Sequence, residues 1–137
     1  MTKLYLITGF LGAGKTTFLH QFVRLFPDRR TAIVVNEFGK QGVDGTLLED
    51  LDIKMEEINN GSIFCACKIE QFEDALLRLQ QENFDVIFVE ASGLSDPTVV
   101  GTILRQRDKF PDLEYAGAIC LVDGARFMTV YKTARVC

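Results

Sequence analysis

This chain has no excess of positive charge: 15 lysines and arginines stand against 19 aspartates and glutamates, a net charge of −4. A phosphate backbone or an anionic bilayer would repel it, which argues against non-specific nucleic-acid binding and against membrane attachment. Long apolar runs are lacking as well. None approaches the ~20 residues of a spanning helix, and the run nearest the N-terminus, Leu4–Ile7, is too short for a secretory signal. Four cysteines without such a signal read as reduced thiols of a cytoplasmic protein, not as a disulfide framework. There is no internal repeat and no low-complexity linker. Histidine occurs once, and His20 reads as an exposed residue of a helix rather than a metal ligand. What remains is 137 residues, 47% hydrophobic, enough for one core with little room for a second.

The most informative stretch is Gly9-Phe10-Leu11-Gly12-Ala13-Gly14-Lys15-Thr16, which fits G-x-x-x-x-G-K-[ST], the phosphate-binding loop. Its context is the one that chemistry requires. Lys3–Ile7 reads as a short strand entering the loop. Thr16–Phe26 reads as a helix leaving it, with Phe18, Leu19, Phe22, Val23 and Phe26 at helical spacing, the phenylalanine stripe packing in the core. Glycines let successive backbone N–H groups converge on phosphate oxygens, and the helix N-terminus adds partial positive charge. In such a loop Lys15 reaches the β- and γ-phosphates and the Thr16 hydroxyl is a Mg²⁺ ligand. The chain is expected to bind a nucleoside triphosphate.

Beyond Pro27, Thr31–Val35 is apolar on both faces, as a buried parallel strand is. Ile53–Ile58 alternates and suits an edge strand, and Asn59–Lys68 is loop-like. Ile69–Glu82 is an amphipathic helix stopped by Asn83, and Phe84–Glu90 is another parallel strand. Pro97 opens a further helix with Asp96 as its cap, Tyr115–Val122 is a last parallel strand, and Ala125–Cys137 is helical. Strand–helix alternation of this kind specifies an α/β fold: a mostly parallel sheet with helices on both faces.

A phosphate loop needs a second acid on a neighbouring strand to hold Mg²⁺ or its waters, and Glu90 ends an apolar strand in the expected place. Gly93, three residues on, has the spacing of a switch whose N–H senses the γ-phosphate. Glu37 and Asp44 lie in the glycine-containing loop after the second strand, where either could bind metal through water or orient the attacking water. Cys65 and Cys67, two apart in an extended segment, could chelate one soft cation such as Zn²⁺, with Glu37, a water or a second subunit completing the site. Buried structural cysteines give the same pattern. Cys120, inside an apolar strand, reads as core, and Cys137 is terminal.

Four segments in this order, Gly9–Thr17, Asn36–Gly45, Asn59–Cys67 and Glu90–Pro97, together with Leu121–Gly124, resemble the CobW-type GTPases, metal-handling relatives of the hydrogenase- and urease-maturation GTPases. The resemblance runs from Thr2 nearly to the end. It implies a SIMIBI-class P-loop fold, Mg²⁺-dependent GTP hydrolysis, and coupling of that cycle to delivery of Zn²⁺, Co²⁺ or a metal cofactor to a metalloprotein client. It assigns Gly12, Ala13, Gly14, Lys15, Thr16 and Thr17 to the phosphates, Thr16 and Glu90 to Mg²⁺, Glu37 and Asp44 to the first switch, and Gly93 to the second. A homodimer is compatible with it. Two departures stand out. Ser62 and Phe64 occupy the first two cysteine positions of the family's C-x-C-C, leaving Cys65 at the third and adding Cys67. The guanine-reading Asn-Lys-x-Asp would fall after Cys137, so residues 1–137 are expected to be the N-terminal portion of a single GTPase domain, ending before its last strands. The alternatives are an ATP-dependent small-molecule kinase on the same loop, and a non-catalytic metal-binding or interaction fragment.

Overall fold

A computed structural model describes residues 1–10, 12–35, 53–57, 66–91, 98–106 and 108–134. Five strands, β1 (Thr2–Gly9), β2 (Thr31–Val35), β3 (Lys54–Glu57), β4 (Val86–Glu90) and β5 (Leu113–Leu121), form one sheet in the order β3-β2-β4-β1-β5. Every pairing is parallel. The helices between them are α1 (Lys15–Val23), α2 (Ala66–Gln81), α3 (Thr98–Leu104) and α4 (Phe127–Ala134). Among the described residues, no helix is long and apolar enough to cross a membrane.

Successive side chains of a strand point to opposite faces, so a strand covered on both sides must be apolar throughout. The three inner strands, β2, β4 and β1, follow this along their middles. Leu4, Leu6, Ala32, Val34, Ile87 and Val89 face one way, onto Phe72, Leu76 and Leu79 of α2 and Val100 and Ile103 of α3. Ile7, Ile33, Val35 and Phe88 face the other way, onto Leu19 and Val23 of α1. Helices therefore cover both faces, as the alternation of elements predicts.

Several boundaries differ from the sequence reading, each for a local reason. α1 ends at Val23 instead of Phe26, because Pro27 disfavours the helical conformation just before it. The chain closes there with Leu25 N–H to Phe22 and Phe26 N–H to Val23 bonds of 3.1 Å. Phe84 and Asp85 precede β4 instead of joining it: Asp85 exchanges hydrogen bonds with the Arg30 backbone, and Thr2 Oγ1 donates to the Phe84 carbonyl at 2.6 Å. α2 begins at Ala66, three residues early, so Cys67 lies in a helical turn and not in an extended segment. Asn83 stops it with a φ of 56°, a left-handed conformation that Asn tolerates.

Phe18 and Phe22 pack against the core cluster as expected, whereas Phe26 and Cys120 do not belong to it. Phe18 and Phe22 are half-buried and Phe26 is 38% exposed; the residues α1 buries are Lys15, Leu19 and Val23. Phe18 stacks on Phe22, which meets Phe26 and Phe88 edge to face. Cys120 is exposed, because β5 is an outer strand whose residues after Leu113 are only half-covered or open. His20, for its part, is half-buried rather than exposed.

Candidate functional site

β1 and α1 set up the site by the way they meet. The turn between them has to bring a strand end and a helix start together, and Gly14 makes this possible at the N-cap of α1 with φ 84° and ψ 25°. A residue with a Cβ is disfavoured in that left-handed conformation. Glycine also offers no side chain to cap the helix, so the first-turn N–H groups are left for another acceptor. A Cβ at Gly12 or Gly14 would meet no protein atom within 4 Å, so conformation, not packing, demands glycine there. Gly9 is the opposite case. A Cβ on it would stand 2.4 Å from the carbonyl oxygen of Leu121, at the end of β5.

Lys15 is buried, 8% exposed, and its ammonium donates to the carbonyl oxygens of Gly9 at 2.9 Å and Phe10 at 3.2 Å. A buried ammonium requires acceptors, and here the loop's own carbonyls supply them. Next in sequence, Thr16 Oγ1 donates to Glu90 Oε1 at 3.0 Å. Glu90 is brought there by strand register: it pairs with Ile7 across β4 and β1, and Ala91 N–H bonds the Ile7 carbonyl at 2.9 Å. Burial pushes the Glu90 carboxyl above the ordinary glutamate range, while the Thr16 hydrogen bond and the Lys15 charge pull it back. A hydroxyl and a carboxylate side by side are hard oxygen donors of the kind Mg²⁺ takes, and the turn of N–H groups with a lysine suits a polyphosphate.

The structure thus brings Glu90 to Lys15 and to Thr16, which lies 74 residues before it, with Gly12, Ala13, Gly14 and Thr17 in the same stretch of chain. Glu37, Asp44, Gly93 and Cys65 lie outside the described residues. For Cys67 only the backbone is described, in the first turn of α2. Among the described residues, no three His, Cys, Asp or Glu side chains gather as a metal site would require. The sequence reading missed the use of the Gly9 and Phe10 carbonyls as acceptors for Lys15, and the closeness of Gly9 to β5. The glycine spacing marks the loop, but only the strand order shows which neighbour presses on its first residue.

The edge of the sheet bearing this site is the carboxyl edge of β1 and β4, where open parallel sheets bind their ligands. A cavity of about 390 Å³ lined by Met1, Lys3, Phe26, Arg29 and Asp85 lies at the other end of these strands, away from the loop.

Comparison with known proteins agrees with this geometry. The profile described as CobW/HypB/UreG, nucleotide-binding domain, matches residues 3–136. Zinc chaperone YeiR of Escherichia coli is 35% identical over 124 residues, 90% of this chain and 38% of that protein. Zinc chaperone YjiA of the same organism is 34% identical over 125 residues, 86% of this chain and 39% of that one. The chain therefore spans less than two fifths of the length of these relatives. Among solved structures, the Zn(II)-bound YjiA GTPase from E. coli superposes with a TM-score of 0.59 at 26% identity, over 91% of this chain and 41% of that chain. Chloroplast FtsY from Physcomitrella patens superposes with a TM-score of 0.62, over 100% of this chain and 47% of that one. At 15% identity that likeness speaks for the fold alone. The fold is the P-loop α/β fold of the SIMIBI class. With a phosphate loop whose threonine meets the strand-end glutamate, and a profile match over nearly its whole length, the chain belongs to the CobW/HypB/UreG family of nucleotide-binding domains.

Proposed function

We propose that residues 1–137 are part of a single P-loop domain that binds Mg²⁺-GTP and hydrolyses it, coupling turnover to the hand-over of a transition metal, Zn²⁺ or Co²⁺, to a metalloprotein client in the cytoplasm. The observation that carries this reading is the Thr16–Glu90 contact beside the buried Lys15. Gly12 to Thr17 hold the phosphates with their N–H groups. Lys15, resting on the Gly9 and Phe10 carbonyls, exchanges them for β- and γ-phosphate oxygens at little cost, since both are oxygen acceptors of one ammonium. Thr16 and Glu90 would hold the Mg²⁺, whose charge would offset that of the phosphates. Glu37 or Asp44 orients the attacking water, and the Gly93 N–H reports whether the γ-phosphate is present.

Catalysis of this kind is positioning plus charge neutralisation. Cys65 and Cys67 bind the cargo metal with Glu37, and the named function of YeiR and YjiA as zinc chaperones favours Zn²⁺. Cys67 stands in the first turn of α2 and not in an extended segment.

Phosphate release from Mg²⁺-GTP by the whole gene product tests the reading. Turnover that Thr16→Ala removes, that exceeds turnover of ATP, and that changes with added Zn²⁺ only while Cys65 and Cys67 are intact is expected. A preference for ATP, or a Zn²⁺ affinity unchanged in Cys65→Ser/Cys67→Ser, would contradict the GTPase and the cargo-site assignments respectively.

A further inference from the structure

The strand end that presses on the phosphate loop is itself fastened. β5 pairs with β1 up to its last residue, Leu121, which stands beside Gly9. The Leu121 carbonyl oxygen lies only 2.4 Å from where a Cβ on Gly9 would be. Gly9 has a second contact. Its own carbonyl is the nearer of the two acceptors of the Lys15 ammonium, at 2.9 Å against 3.2 Å for Phe10. Gly9 therefore links the end of β5 to the lysine of the loop.

Two residues beyond Leu121 the chain is tied down by Asp123. Asp123 Oδ1 accepts the N–H of Ala125 at 3.0 Å and that of Arg126 at 3.2 Å. Its backbone carbonyl accepts the N–H of Arg126 at 3.1 Å and that of Phe127 at 2.8 Å. Oδ2 lies 3.8 Å from Arg126 Nε. N–H groups of three consecutive residues thus converge on one aspartate. They are donors that the opening turn of a helix leaves without helical partners. Satisfying them caps the turn that leads into α4, and it fixes the direction in which the chain leaves β5.

From this series of contacts we infer that Asp123 is a positioning residue for nucleotide: it holds the end of β5 against Gly9, and through Gly9 the carbonyl on which Lys15 rests. The inference depends on the reading of the loop as a triphosphate site. Without the cap, the chain after Leu121 is free to take other directions, and the Leu121 carbonyl no longer fixes Gly9. The loop then spends part of its time in conformations whose N–H groups do not converge. A ligand binds only the competent fraction, so affinity falls while the step after binding keeps its rate. Asparagine keeps an oxygen for the same two N–H groups and is as good a cap as aspartate. The role therefore needs the acceptor and not the negative charge.

Calorimetry of Mg²⁺-GTP against the whole gene product and three variants tests this. Asp123→Ala is expected to weaken binding about fivefold (~1 kcal/mol), and Asp123→Asn to stay within about twofold of the parent. Ala75→Gly, in the middle of α2, lowers stability through helix propensity and burial. It is expected to melt no higher than Asp123→Ala yet to bind within about twofold of the parent. In turnover, Asp123→Ala raises KM and leaves kcat within about twofold. Asp123→Ala binding as well as the parent, Asp123→Asn binding as weakly as Asp123→Ala, or Ala75→Gly weakened as much as Asp123→Ala would each overturn the proposal. A parent that gives no heat would overturn the triphosphate reading, and this inference with it, whereas a parent that binds alongside an unaffected Asp123→Ala would overturn this inference alone.

Discussion

Glu90 carries the conflict between stability and function at this site. Burial raises its carboxyl pKa and only partly yields to the Thr16 hydrogen bond and the Lys15 charge. The folded chain therefore holds this proton more tightly than the unfolded one, whose glutamate titrates near ~4.3. Stability from this group is fully present below the unfolded value and is lost as pH rises through the folded one. Glu90→Gln keeps an oxygen acceptor for Thr16 and removes the buried charge. Without nucleotide it should melt a few degrees above the parent at pH 7, the gap closing as pH falls toward ~4, and it should lose the Mg²⁺-dependent part of stabilisation by GTP. Thermal unfolding across pH, with and without Mg²⁺-GTP, checks both; a pH-independent gap would contradict the assignment. Lys15, Thr16 and Glu90 were legible in the sequence because spacing and strand position alone select them. Cys120 was not, because an apolar strand reads the same whether central or outer, and exposure depends on strand order.

At the scale of elements, the joint between β1 and β5 decides how the loop is held. Gly9 leaves β1 at φ 143° with Leu121 O where a Cβ would go. Gly9→Ala must push back the end of β5 or distort the loop, and is expected to cost ~2 kcal/mol or more and to weaken nucleotide binding along with stability. Chemical denaturation and nucleotide titration of the same variant measure the two. A variant as stable as the parent would mean that β5 does not press on the loop. Strands and helices were readable wherever period and burial coincide, as in Thr31–Val35, which is buried at every residue. Ends were harder. Tertiary bonds set them, such as those of Asp85 to Arg30, and no local pattern announces a partner 55 residues away.

For the whole molecule, the order β3-β2-β4-β1-β5 puts the loop-bearing strand between the strand of Glu90 and the outer strand β5. The alternation of elements predicted a parallel sheet covered on both faces, but it did not say in which order the described strands lie. The central claim concerns the loop at the carboxyl edge of that sheet: backbone N–H groups and one buried lysine there grip a triphosphate. Isothermal calorimetry of Mg²⁺-GTP against the parent chain and Lys15→Ala measures this most directly. Binding by the parent, weakened about a hundredfold (~2.7 kcal/mol) in a variant that still unfolds cooperatively, is the result the account predicts. No heat from the parent, or equal affinity in the variant, would contradict it.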